Sequence, residues 1–139
     1  MAFPSGNRRL PPLEQTRSLT VIRFELKEPI APTTNVWKRM HWARYRKLKT
    51  QLAWQFIEQK PPGMVPIPRA RVHIVQTTCG IEPDGDNLDG VRKPILDAMQ
   101  DAGIIVDDAP EHLVSTVEWQ RAKKVAEQRT WVTVEEMTA

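Results

Sequence analysis

An apolar stripe between Trp37 and Lys60 is the sequence feature that most constrains the fold. Its members recur with the 3.6-residue period of an α-helix and are Tyr45, Leu48, Leu52 and Phe56. The run Pro61-Pro62-Gly63 ends this pattern, because proline cannot continue a helix and glycine favours a turn. The sequence therefore predicts one long helix over Trp37–Lys60 that packs by one side on a core.

Strand patterns lie on both sides of this helix. The predicted strands are Ser18–Leu26, Arg69–Thr78, Leu113–Gln120 and Arg129–Glu135. A second helix is predicted over Lys93–Ala102, with Pro94 in its first turn and Gly103 as its stop. The order β-α-β-α-β-β predicts a single α+β domain, in which two main helices pack on a mixed β-sheet of about four strands.

The chain has 139 residues, which is enough for one domain with a real core. Residues 1–17 are rich in proline and charge and are predicted to form a flexible N-terminal arm, so the domain is expected over 18–139. No apolar run approaches the ~20 residues that cross a bilayer. A single cysteine, Cys79, excludes an internal disulfide. We therefore expect a cytoplasmic protein with no membrane partner.

Acidic residues are concentrated in one part of an otherwise basic chain. Between Glu82 and Glu111 there are nine acidic and two basic residues, whereas the whole chain has 20 Lys and Arg against 17 Asp and Glu. The remainder thus holds 18 basic and eight acidic residues. Clustered carboxylates repel one another unless a cation compensates them. This distribution favours a protein that binds a polyanion and presents metal ions to it.

The spacing of the carboxylates suggests how a cation would be held. Asp84 and Asp86 follow a predicted strand, and in an extended backbone residues two apart point to the same side. Asp107 and Asp108 follow the second predicted helix and could return to the same place. Hard cations such as Mg²⁺ prefer oxygen ligands and keep several waters. Two or three carboxylates with an open face would therefore make a plausible catalytic metal site.

Two other interpretations of the acidic segment were weighed. A calcium loop of the EF-hand type that began at Asp84 would place Leu88, Asp89 and Ile95 where it needs Asp or Asn, Gly and Glu, which excludes it. A polar turn followed by a helix with an acidic cap stays open, because Asp is common in turns and at helix N-termini.

Three segments in order resemble the signature of the RusA family of Holliday-junction resolvases. They are Pro83–Leu88 with its Asp-Gly-Asp-Asn-Leu, Lys93–Met99 with its Lys and Asp, and Ala102–Asp108 with its closing Asp-Asp. The segment Pro32-Thr33-Thr34-Asn35 before the basic helix is similar to an N-terminal Pro-x-x-Asn segment of that family. The resemblance covers residues 18–136 and implies a RusA-like fold.

The resemblance also implies roles for individual residues. It implies that Asp84, Asp86 and Asp108 bind the divalent metal and that Lys93 is an essential basic residue beside them. The stretch before Lys93 is about three residues longer here than in the compact form of the motif, so Arg92 is an alternative for that role. Asp107 and Asp108 compete for the third metal position, and Asp108 is preferred.

Basic residues on and before the first helix are the candidate DNA contacts. They are Arg39, Arg44, Arg46, Lys47 and Lys49, with Arg92 as a further candidate. A solvated helix face is the ordinary explanation of such a cluster, but beside a phosphodiesterase site phosphate contact is favoured. Trp54 points away from the apolar stripe, which suggests an interface anchor or a base-stacking residue.

The carboxylates and basic residues predict Mg²⁺-dependent phosphodiester hydrolysis, with Mn²⁺ as a substitute, and the resemblance implies an endodeoxyribonuclease that resolves four-way DNA junctions by paired cuts. Paired cuts need two sites, so a homodimer is expected, and the resemblance implies the same. Two alternatives remain: a nuclease that acts on flaps or forks, and a junction-binding protein without catalytic activity.

Overall fold

A computed structural model of the protein describes residues 21–28 and 30–137. The arm predicted for residues 1–17 and the first three residues of the predicted first strand lie outside this range. The described elements are β1 (Val21–Leu26), α1 (Thr34–Trp37), α2 (Trp42–Gln59), β2 (Ala70–Thr78), α3 (Gly85–Asp89), α4 (Arg92–Asp101), β3 (Leu113–Arg121), a 3₁₀ turn (Val125–Glu127) and β4 (Arg129–Glu136).

The four described strands form one mixed sheet in the order β1-β4-β2-β3. Strand β4 is antiparallel to both β1 and β2, while β2 and β3 are parallel. Parallel neighbours need a long crossover connection, and here that connection contains α3 and α4. The predicted α+β domain with a mixed four-stranded sheet and two main helices is therefore confirmed. The acidic segment lies within this one crossover.

The core lies between one face of the sheet and the two long helices. Alternate strand residues such as Val72 and Ile74 are fully buried, as the period-2 pattern predicts. The stripe on α2 is buried at Leu48, Leu52 and Phe56, while Tyr45 is half-buried. Edge-to-face contact between the rings of Phe24 on β1 and Phe56, 5.0 Å apart, ties α2 to the sheet. This packing fixes the position of α2 and of the charged residues on its exposed side.

The prediction of one continuous helix over Trp37–Lys60 is wrong at its start. Helix α1 ends at Trp37, and α2 begins at Trp42 after a short turn. His41 has an extended backbone, and its ring Nδ1 accepts a hydrogen bond from the N–H of Ala43, which caps α2. Arg39 consequently lies in the turn and not on the helix.

The predictions for the second long helix hold, apart from a shift of one residue at each end. Pro94 lies in the first turn of α4, where its missing N–H costs least, and Gly103 follows the helix with a φ of 75°. Helix α3 was not predicted. None of the helices in the described part of the chain combines the length and the apolar character that a membrane-spanning helix needs.

Candidate functional site

Asp84 and Asp86 lie at the start of α3: the backbone is extended at Asp84, as predicted, but helical at Asp86, where the prediction is wrong. Asp84 is the N-cap residue, and its Oδ1 accepts a hydrogen bond of 2.8 Å from the N–H of Asn87. Asp86 is in the first helical turn and exposed. Asp84 thus caps a helix, as in the alternative of an acidic cap, but the helix is α3, which takes the place of the expected polar turn. Capping uses one carboxylate oxygen, so the second oxygen of Asp84 and both of Asp86 have no partner among the described residues.

The Thr34-Asn35 segment of α1 docks directly on α3. The Asn35 N–H donates to Asn87 Oδ1 at 2.8 Å, and the Thr34 hydroxyl donates to the Asp86 carbonyl at 3.3 Å. The Trp37 indole N–H donates to the Gly90 carbonyl at 2.7 Å. Residues 52 or 53 positions apart are therefore joined by three hydrogen bonds. Two of the four segments that carry the family resemblance, Pro32–Asn35 and Pro83–Leu88, therefore meet, and this contact positions α3 against the turn before α2.

Gly90 allows this close docking. A Cβ placed on Gly90 would lie 1.4 Å from Thr34 Oγ1 and 2.9 Å from Thr34 Cα. Both atoms are too close for any side chain, and the second is backbone and cannot rotate away. Gly90 belongs to the stretch that lengthens the motif before Lys93. In that stretch Gly90 is the C-cap of α3, and Val91, which is fully buried, is the N-cap of α4.

Replacing Gly90 with Ala is expected to lower the free energy of unfolding by about 1–3 kcal/mol, because the new methyl group forces the Thr34 segment away from α3. Urea denaturation measures the change. Gly85→Ala is the matched control, since a Cβ there meets nothing within 4 Å. The control should be neutral or slightly stabilising in its helical position. Equal stability of both variants would contradict the docking.

Lys93, Asp97 and Tyr45 form a hydrogen-bonded group between α2 and α4. Asp97 Oδ2 accepts from the Tyr45 hydroxyl at 3.0 Å and from Lys93 Nζ at 3.3 Å. The Lys93 side chain is 54% exposed and keeps two donors for another ligand. Asp97 therefore positions the ammonium group without enclosing it. The sequence pattern indicated Lys93 and Asp97, but nothing in it indicated the Tyr45 hydroxyl.

The pKa of Tyr45 is raised well above its ordinary value, first by burial and then by the charge of Asp97 and its hydrogen bond. A raised tyrosine pKa means that the neutral phenol is favoured. The stability that the protonated Tyr45 phenol contributes is fully present below pH 10, the ordinary pKa of tyrosine. It is lost as the pH rises through the pKa of Tyr45 in the folded state.

Spectrophotometric titration is expected to show a phenol that stays protonated above pH 10. Tyr45 is the only tyrosine in the chain, so the signal belongs to it alone. Asp97→Asn should lower the pKa but leave it above the ordinary value, because burial remains. Asp101→Asn, the control, should change it less, since Asp101 is the smallest cause. An unchanged titration in Asp97→Asn would contradict the contact.

Arg92 is engaged within the fold. Its Nε donates to Asp89 Oδ1 at 2.8 Å, and its NH1 donates to both the carbonyl and the hydroxyl of Ser115 at 2.6 Å. These bonds tie the start of α4 to α3 and to β3. The guanidinium is thus occupied by protein ligands, whereas the Lys93 ammonium group faces solvent. Of the two candidates for the essential basic role, the geometry favours Lys93.

The two adjacent aspartates after α4 differ in environment. Asp107 Oδ1 accepts from the Ala109 N–H at 3.1 Å and lies 2.9 Å from His112 Nδ1. The His112 hydrogen bond, followed by that of Ala109, holds the pKa of Asp107 below its usual value. Asp108 is exposed and has no hydrogen bond or ion pair with any described residue. Asp107 therefore stabilises its own loop, and Asp108 is the carboxylate left for another ligand.

The carboxylates of the candidate site form a small donor set for a divalent metal. Within residues 21–28 and 30–137, no group of three or more His, Cys, Asp or Glu side chains is arranged to hold a metal ion. The expected convergence of Asp84, Asp86 and Asp108 is thus not seen. Mg²⁺ is usually bound through one or two carboxylates together with substrate phosphates. The chemistry of Asp84 and Asp86, two exposed neighbouring carboxylates outside any ion pair, fits that smaller donor set.

The predicted basic contacts lie on an exposed surface next to α1. Residues 30–57 contain no carboxylate, and their exposed cations are Lys38, Arg39, Arg44, Arg46 and Lys47. Lys49 is half-buried and forms an ion pair of 3.5 Å with Asp101, so it belongs to the contact between α2 and α4. Lys38 was missed in the sequence, although it adjoins Arg39. The acidic α3 is thus docked beside a segment of purely positive charge.

Comparisons with known proteins add little to this picture. No family model matches the chain, and no curated protein matches it. Two solved structures are partly similar to this chain. A HypE-HypF complex is 14% identical over 84% of this chain, with a TM-score of 0.33, and the hydrogenase maturation protein HypE is 13% identical over 94%, with a TM-score of 0.34. The chain covers 31% and 35% of those chains. At these TM-scores the similarity supports no argument about fold or function.

Proposed function

We propose that the protein is a metal-dependent endonuclease of the cytoplasm that acts as a homodimer on branched DNA, with the four-way junction as its substrate. One observation carries the proposal: α3 presents the unpaired carboxylate oxygens of Asp84 and Asp86 while it is docked on α1, next to a segment with five exposed cations. The RusA-like order of motifs supports the junction as the substrate.

Charge supports a nucleic-acid ligand. Arg39, Arg44, Arg46 and Lys47 are exposed and have no ion-pair partner among the described residues, so they are available for phosphates. Phosphate contacts supply most of the affinity for DNA and fix its position without reading its sequence. An acidic site alone would repel the DNA backbone, and the surrounding cations offset that repulsion.

Asp84 and Asp86 would hold the metal, with Asp108 as a third ligand if the loop after α4 approaches them in the complex with DNA. A bound Mg²⁺ or Mn²⁺ would polarise the phosphoryl group and lower the pKa of a bound water. Lys93 would contribute a positive charge at the scissile phosphate, and Asp97 would position it through the 3.3 Å contact. Asp97 and Tyr45 are therefore positioning residues and not catalytic ones.

Resolution of a four-way junction requires two cuts, and one such domain has one set of these residues. A homodimer with two-fold symmetry would present two equivalent sites to a nearly two-fold substrate. The dimer is thus part of the proposal. Sedimentation of the purified protein, with and without DNA, measures its oligomeric state.

The deciding experiment is incubation of a synthetic four-way junction with the protein and Mg²⁺ or Mn²⁺. Paired, symmetric nicks are the expected result. Binding without cleavage would favour a non-catalytic junction-binding protein, and faster cleavage of flaps or forks would favour the other nuclease. Asp86→Asn is the control that separates cleavage by this protein from a contaminating nuclease.

A further inference from the structure

Trp42 is an exposed aromatic residue that the packing of the domain does not explain. It is the first residue of α2, and it is 63% exposed. The Arg46 guanidinium lies 4.5 Å from the centre of its ring, and the His41 ring lies 5.5 Å away. The exposed indole ring is thus accompanied by a guanidinium and an imidazole, an arrangement that suits a flat aromatic ligand with a negative charge nearby.

The contacts between the helices locate Trp42 relative to the candidate site. Tyr45 contacts Asp97, and Lys49 contacts Asp101, so residues four apart on α2 meet residues four apart on α4. The two helices therefore run in the same direction with their turns level. One turn earlier on α4 lies Lys93, and one turn earlier on α2 lies His41, the neighbour of Trp42. Trp42 and Lys93 are thus both near the N-termini of two helices that run in the same direction.

We infer that Trp42, supported by Arg46, is a stacking platform for a nucleobase exposed at the branch point of the DNA substrate; this rests on the proposed function. Charge complementarity selects the ligand, because Arg46 contacts Trp42, and three further exposed cations lie within five residues of it in the sequence: Arg39, Arg44 and Lys47. An indole ring provides an apolar face for a base, while the guanidinium provides a positive charge for the adjacent phosphate. Stacking of this kind tolerates any base, which suits recognition of a branch and not of a sequence.

The test measures the affinity of Trp42→Ala for a synthetic four-way junction and for a continuous duplex, both without divalent metal so that cleavage does not enter. Affinity for the junction is expected to fall about tenfold, because the variant loses the stacking of one base on an aromatic ring. Affinity for the duplex, which exposes no base at a branch point, should change much less. The preference for the junction over the duplex should therefore shrink, and Trp42→Phe should restore part of it.

Trp54→Ala is the matched control. Trp54 lies on the same helix and is 59% exposed, but it has no cation or ring contact with any described residue. The sequence also suggests Trp54 as a base-stacking residue or an interface anchor, so the two variants are compared in the same oligomeric state, where Trp54→Ala should lower the affinity for the junction less than Trp42→Ala does. The inference is overturned if Trp42→Ala binds the junction like the wild type, or if it alters the oligomeric state, which would make Trp42 an interface anchor. If Trp42→Ala loses affinity for the junction while the wild type cuts no DNA, the proposed nuclease activity is wrong, but the stacking role of Trp42 is supported.

Discussion

Cleavage of a four-way junction is expected to fall about a hundredfold or more when Asp86 is replaced with Asn, and equally when Asp84 is. Each substitution keeps the size of the side chain but removes the charge that would hold a divalent cation, and loss of one such electrostatic group commonly costs that much. Asn at position 84 still offers an oxygen to the Asn87 N–H, so α3 should keep its cap. The effect should therefore be on chemistry and not on folding.

DNA binding separates this explanation from a loss of structure. Both variants should bind the junction as tightly as the wild type, or more tightly, because a negative charge near the phosphates has been removed. Asp101→Asn is the control with the same change of charge, at the last residue of α4. It should keep its cleavage rate. Weak DNA binding by Asp84→Asn or Asp86→Asn would contradict the division between metal ligands and DNA contacts.

Replacing Lys93 with Gln is expected to lower the cleavage rate about a hundredfold, with a smaller loss of affinity for DNA. A point charge aimed at the scissile phosphate stabilises the transition state more than the bound substrate, so the turnover number should fall more than the affinity. Single-turnover kinetics at saturating protein separates the two quantities. Lys93→Arg retains the charge and should recover part of the rate.

Arg92→Gln provides the contrast, because it is the neighbouring cation. Its bonds to Asp89 and Ser115 join three elements, so the variant should lose about 2 kcal/mol of folding free energy. Below its unfolding temperature it should still cut DNA. If Arg92→Gln loses cleavage while it stays folded and Lys93→Gln does not, the two roles are reversed.

Most of the fold follows from local patterns in the sequence. Helix α4 was predicted from apolar spacing, Pro94 and Gly103, and the strands from their alternating residues, because these signals act within a few positions. The break between α1 and α2 was not predictable in this way. It is accompanied by a long-range contact, in which the Trp37 indole N–H donates to the carbonyl of Gly90, 53 positions later. A helical period continues through such a break in the sequence, although the backbone does not.

In the candidate site too, some features were predictable from the sequence and others were not. Asp84, Asp86 and Lys93 were found because their residue types and order suggest metal and phosphate chemistry. The role of Gly90 could not be predicted, because Gly90 belongs to the stretch by which this chain departs from the compact motif. In the structure Gly90 lies directly against Thr34. The group around Asp97 was hidden for a similar reason. A tyrosine in an apolar stripe gives no sign that its hydroxyl meets a carboxylate on another helix.

The central place of β4 in the sheet bears on how the chain reaches its folded state. Strand β1 pairs only with β4 among the described strands, and Arg129 on β4 meets Glu25 on β1 across 104 positions of sequence. During synthesis β1 is made well before β4, so its backbone hydrogen-bonding groups stay unpaired until β4 has been made. Contacts between residues so far apart in the sequence slow folding, and an unpaired strand edge can pair with the edge of another chain. Nascent chains that stall before residue 129 should therefore be the species most in need of a chaperone.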